Sequence, residues 1–183
     1  ELTDDKSTYA RMIQKMVKDE NRNNLIIDDV RKTLTEGRSP IVLTNLTTHV
    51  ETLANALAPY CKYVVTLIGS ESAREKHQKM ELLQGISPTE PLVIVATGKY
   101  VGEGFDYPRL DTLFLALPVS WKGIIAQYAG RLHREYLDKK EVRIYDYIDI
   151  RVPMCDVMYK RRLRGYASVG YQIMSNGFIQ RKP

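Results

Sequence analysis

Two arginines three positions apart behind a glycine, in the stretch Gln127-Tyr128-Ala129-Gly130-Arg131-Leu132-His133-Arg134, carry the clearest chemistry in this sequence. On a helix, Gln127, Arg131 and Arg134 fall at i, i+4 and i+7 on one face, while Ile125, Tyr128 and Leu132 fall on another. One face would pack and the other would present two guanidiniums. A guanidinium is permanently charged and offers a planar fork of donors, which suits the oxygens of a phosphoryl group in transfer. The pair therefore reads either as an arginine finger for a nucleoside triphosphate or as a solvated helix face.

A second candidate lies upstream, where the apolar run Leu92 to Ala96 ends at Thr97 and breaks into a loop with glycines at 98, 102 and 104. Such a run suits a strand buried on both faces of a parallel sheet, and ligands of these sheets gather at the strands' carboxyl ends. Glycine lets main-chain amides approach a phosphate or sugar. Asp106 can accept from ribose hydroxyls, or can serve the turn before Pro108. Gly98-Lys99 does not make a Walker loop, because the spacing is absent and Tyr100 stands where Ser or Thr would hold magnesium.

Together these segments resemble motifs V and VI of the superfamily 2 helicases, in their carboxyl-terminal RecA-like domain. Gln127, Gly130, Arg131 and Arg134 fill the fixed places of Q-x-x-G-R-x-x-R, and Ala96, Thr97, Gly104, Phe105 and Asp106 match motif V. Residues 41–53 look like motif IV and its following helix, so the resemblance covers roughly residues 39–150 with its motifs in order. The loop between Thr97 and Gly104 is longer than in DEAD-box proteins, and His133 and Tyr128 stand where many relatives carry glycine and arginine. The chain looks closer to the restriction- and repair-type DNA translocases than to DEAD-box RNA helicases.

The resemblance implies roles. Arg134 would be the finger, Arg131 a second phosphate contact, and Gln127 would orient the pair or bond across the cleft. Gly104 and Asp106 would meet the ribose. Thr44, Asn45 and Thr97 would touch a nucleic-acid backbone, with strand-end turn chemistry as the alternative for Thr44 and Asn45. The cofactor would be ATP. Its Mg2+ would be held by an N-terminal RecA-like domain of the same polypeptide, since this chain has neither P-loop nor acidic box, and the isolated chain should be inactive. Nucleic acid would be the other partner, DNA ahead of RNA. The start at Glu1 without an initiator methionine is consistent with a fragment of a longer protein or a processed chain. Two other classes stay open: a catalytically inert RecA-like module that binds nucleic acid or docks proteins, and an unrelated nucleotide-binding α/β domain that would hold ATP by itself.

Charge separates along the chain. Residues 1–120 hold 14 Lys+Arg against 16 Asp+Glu, whereas residues 121–183 hold 13 against 6, so the net +5 arises in the last third. Its densest cluster is Lys160, Arg161, Arg162 and Arg164, interleaved with Tyr159 and Tyr166. It suits a nucleic-acid backbone with stacked bases, or a solvated or docking face. Cys61, Cys155, His49, His77 and His133 match no metal spacing, and the thiols suit a reducing cytosol. No apolar run approaches a membrane span.

To position these residues, the periodicity predicts helices over 5–19 and 24–36, then strands at 41–45, 63–68, 92–97, 112–117 and 142–148. Between and after them it predicts helices with capping boxes at Thr48/Glu51 and Ser72/Glu75, a helix capped by Ser120 that carries the arginine pair, and a last helix over 153–166. Trp121 reads as core or as a base stacker. Alternating strands and helices mean an α/β fold: a mostly parallel RecA-like sheet with helices on both faces. It would divide into a helical lead-in (1–38), a RecA-like domain (39–150) and a basic helix and tail (151–183).

Overall fold

The apolar runs Pro40–Thr44 (β1), Leu92–Thr97 (β3) and Thr112–Leu115 (β4) are buried along their whole length, which places them in the middle of a sheet. Tyr63–Leu67 (β2) and Arg143–Asp146 (β5) are partly exposed and form its edges. In this computed structural model, which describes residues 2–119, 124–149, 151–175 and 178–179, the strands pair in the order β2-β3-β1-β4-β5. Every pairing is parallel, with Thr44 level with Thr97 and Leu115 level with Asp146.

Alternation along β1 sorts the core into two layers. Val42 faces Ile26 and Val30 of α2 (Glu20–Thr35) and Val50, Leu53 and Leu57 of α3 (Thr47–Leu57). Ile41 and Leu43 face the other layer, with Leu83 of α4 (Ala73–Gly85), Val101 of α5 (Gly98–Gly102), Tyr128 and Leu132 of α6 (Ile124–Leu132) and Tyr166 of α7 (Pro153–Ser168). The first helix, α1 (Leu2–Val17), docks Ile13 and Met16 on Leu117 and Cys155, so the helical lead-in packs against the sheet's carboxyl end and the start of α7.

Local signals explain several boundaries. Asp19 caps α2, accepting from the Arg22 amide at 3.0 Å. Ser72 and Glu75 form the expected capping box, whereas Thr48 and Glu51 do not. There α3 starts earlier, and the Leu46 carbonyl takes the amides of His49 and Val50 at 3.1 Å each. Leu46 is held against the Ile13–Met16 cluster, so packing draws the helix start back past Thr48. After β3 the expected open loop is instead the short α5, capped by Thr97, and only Gly104 there takes a positive φ, 100°. A short hairpin, Met174–Ser175 with Phe178–Ile179, was not foreseen. Ser120 and Trp121 lie outside the described residues. Among the described residues no helix is long and apolar enough to cross a membrane.

Candidate functional site

The fold brings the two arginine-bearing and glycine-bearing segments together at the carboxyl end of β3. Phe105 stacks on Tyr128 at 6.4 Å between ring centres and meets Tyr100 edge-on at 5.7 Å, a buried aromatic seam that fixes α6 to α5. Above the seam, Arg131 donates from Nη1 to the carbonyls of Phe105 (2.8 Å) and Val101 (3.2 Å). Arg131 thus ties down the loop that carries Asp106.

Arg134 is placed differently from the helical projection. Helix α6 ends at Leu132, and the amides of His133 and Arg134 turn back to Gly130 and Arg131 at 3.2 and 3.1 Å. These tight i→i+3 bonds close the helix, so Arg134 leaves its face and swings toward the upstream loop. Its Nη2 lies 3.0 Å from Asp106 Oδ2, with the arginine side chain 61% exposed and the aspartate 32%. Gln127 stays on the exposed side of α6, one turn before Arg131. Beside Asp106 opens a cleft of about 310 Å3 lined by Lys76, Met80, Tyr100 and Gly104 among others, closed on one side by the Lys76–Glu103 ion pair.

The three residues expected to meet nucleic acid diverge. Asn45 is exposed, and its Oδ1 lies 3.7 Å from where a Cβ would stand on Gly98. Thr97 is buried, its hydroxyl accepting the amides of Gly69 (3.0 Å) and Tyr100 (3.5 Å), so it joins the loop after β2 to the start of α5. Thr44 is 1% exposed and turned inward, its Oγ1 2.8 Å from His49 Nδ1. His49 Nε2 is 2.9 Å from Asn23 Oδ1, and Asn23 Nδ2 donates to the Val17 carbonyl at 3.0 Å. This chain of bonds uses Thr44's polar atom within the core. Nothing in the sequence distinguished His49 from a surface histidine.

The chain Thr44–His49–Asn23 is satisfied by a neutral imidazole that accepts at Nδ1 and donates at Nε2. Burial, helped by the nearby Arg22 charge, lowers the His49 pKa to about 4. The unfolded chain takes up this proton near pH 6.5, whereas the folded one takes it up only near pH 4. The stability gained from the neutral ring is therefore present above about pH 6.5 and lost as pH falls toward 4, by up to about 3 kcal/mol. Urea unfolding of wild type and His49→Asn at stepped pH checks this, and His49→Asn should show the flatter profile. Identical profiles would remove His49 as the source.

The basic cluster near the carboxyl end is not one surface. Arg162 is 1% exposed and forms a two-point pair with Asp146, Nε to Oδ2 at 2.7 Å and Nη2 to Oδ1 at 2.9 Å, while Nη1 donates to the Val119 carbonyl at 2.6 Å. Tyr166 is buried too and donates to Asp146 Oδ2 at 2.7 Å, so it belongs to neither an exposed stacking surface nor a solvated face. The cause is the helical repeat: Arg162 and Tyr166 share the face of α7 that meets β5. Lys160, Arg161 and Arg164 lie on the exposed side, with Lys160 paired to Asp156 at 2.7 Å.

A parallel sheet in this order, with the arginine-bearing and glycine-bearing segments meeting at its carboxyl end, is an α/β fold of the RecA-like type. The solved structure of T4 UvsW matches it with a TM-score of 0.69 and 19% identity, over 87% of this chain and 35% of that one. The chain is also 26% identical over 185 residues to the helicase-named protein 161L of Invertebrate iridescent virus 6, covering 90% of this chain and 37% of that protein. It is 25% identical over 139 residues to transcript termination protein A18 of Fowlpox virus, covering 75% of this chain and 29% of that one. The chain thus spans about a third of the length of these viral relatives. No protein-family model matches it.

Proposed function

We propose that this chain is the carboxyl-terminal motor domain of an ATP-dependent helicase or translocase that acts on nucleic acid, DNA in preference to RNA. It supplies one wall of an ATP site shared with an N-terminal RecA-like domain of the same polypeptide, which holds the Mg2+. The observation that carries this reading is the exposed pair Arg134–Asp106, 3.0 Å apart beside an open cleft at the carboxyl end of the sheet.

The residues suit a nucleotide approached from outside. The main chain at Gly104 is open, and Asp106 presents a half-exposed carboxylate to ribose hydroxyls. Gly130 points the same way: glycine inside a helix costs roughly 1 kcal/mol, yet a Cβ there would meet nothing within 4 Å in this chain. A close approach by the partner domain or the nucleotide accounts for it. Hydrolysis of ATP would supply the free energy for movement. Arg134 would leave Asp106 to offset charge on the transferring phosphoryl group, with Gln127 orienting it or bonding across the cleft. Arg131, with Nη1 committed to two carbonyls, would support the loop rather than act as a direct phosphate ligand. Asn45, and Thr97 through the main chain it holds in place, would meet the nucleic-acid backbone. The buried free thiols Cys61 and Cys155 suit a cytoplasmic protein.

The polypeptide carrying both motor domains is expected to hydrolyse ATP faster with DNA present. This chain alone should show no turnover, and calorimetry should find only weak binding of a non-hydrolysable ATP analogue. A tight site in the chain alone would overturn the shared-site model. A full polypeptide without ATPase activity would leave an inert binding platform instead.

A further inference from the structure

Lys139 lies outside the three motifs, yet it joins the two segments that meet in the site. Asp138, with φ 59°, is a non-glycine residue in the left-handed region, and together with the bond from the Lys139 amide to the Tyr136 carbonyl (3.1 Å) it reverses the chain just after Arg134. The reversal sends the Lys139 side chain back under the turn. There its Nζ donates to the carbonyl of Arg134 at 2.8 Å and to the carbonyl of Pro108, two residues beyond Asp106, at 2.9 Å. The ammonium is partly buried, and that desolvation lowers its pKa, with the carboxylates of Asp111 and Asp106 opposing the shift.

Both polar main-chain atoms of Arg134 are therefore held. Its amide donates to Arg131 and its carbonyl accepts from Lys139, while its side chain remains 61% exposed. A reach across a domain cleft needs that combination, a fixed base and an exposed end, because a displacement of about 1 Å in a catalytic group costs about 10²-fold in rate. A partly buried ammonium loses hydration to hold two carbonyls that water could satisfy, so a merely structural role explains it poorly.

We propose that Lys139 is a positioning residue for Arg134, locking the main chain of the finger to the loop that carries Asp106. The proposal rests on the assignment of Arg134 as the finger. In the polypeptide carrying both motor domains, Lys139→Met should lower kcat for ATP on the order of 10²-fold while KM changes by less than about 3-fold. Lys139→Arg, which keeps the charge and the donors, should retain most of the activity. In an Arg134→Ala background, Lys139→Met should cause almost no further loss, because both substitutions remove the same contribution. Should Lys139→Met fail to fold, Lys139→Gln enters the same comparison.

A folded Lys139→Met enzyme with near wild-type kcat, or a loss in the double variant equal to the product of the single losses, would overturn the positioning role while leaving Arg134 as the finger. Wild-type turnover by Arg134→Ala alone would instead remove the finger, and Lys139's role with it.

Discussion

Under the proposed shared ATP site, Arg134→Ala in a polypeptide carrying both motor domains is expected to lower ATP turnover on the order of 10³-fold or more. The side chain makes its ground-state ion pair with Asp106, so in the proposed site the lost interaction would be one made in the transition state, and ATP affinity should change far less than kcat. Folding should be almost untouched. A pair this exposed contributes little, and the substitution should stay within about 0.5 kcal/mol in stability. Steady-state ATPase with DNA present, on a variant shown to be folded, makes the measurement. Turnover near wild type would return Arg134 to the solvated surface.

Arg162→Ala is expected to do the reverse, unfolding the domain without touching the site. Its guanidinium is buried, paired at two points with Asp146 and bonded to the Val119 carbonyl. Its removal would leave the Asp146 carboxylate buried with only the Tyr166 hydroxyl, and breaking one side of such a pair costs about 3–5 kcal/mol. That is a large part of the roughly 5–15 kcal/mol that holds a domain together. Arg161→Ala, one residue away on the exposed side, should change stability by no more than about 0.5 kcal/mol. Denaturant unfolding of the two variants side by side gives the contrast, and equal costs would mean that the buried pair is not the anchor of α7.

That contrast also marks how far the sequence could be read. The strands were legible because central strands of a parallel sheet are apolar on both faces, and Ile41–Leu43 and Leu92–Ala96 declare this without alternation. Motif order marked the two segments that the fold brings together, though not that Arg134 itself would pair with Asp106. What hid was everything settled by packing between distant segments. Arg162 looked like its neighbours because the partner that buries it, Asp146, lies on a strand with no local mark of the pairing. Thr48 had the capping chemistry, but the docking of Leu46 on α1 decided where α3 starts. Arg134 was placed on a helical face, while the chain closed the helix two residues earlier and delivered the side chain to Asp106 from a turn. Thr44 carried the right hydroxyl, and a histidine five residues on claimed it.

The strand order also sets an order of assembly. β1 is central, yet its neighbours in the sheet are Ile94 of β3 and Thr112 of β4, far downstream of it. As the chain leaves the ribosome, an apolar strand with both hydrogen-bonding edges empty must wait for partners that have not been made, the situation in which parallel sheets fold slowly and associate wrongly. The residues of the two helices ahead of β1 have already been made at that moment, so Ile26 and Val30 of α2 are available to cover one face of Val42. In the finished domain they are part of the core; during synthesis they are the first apolar surface the waiting strand can meet.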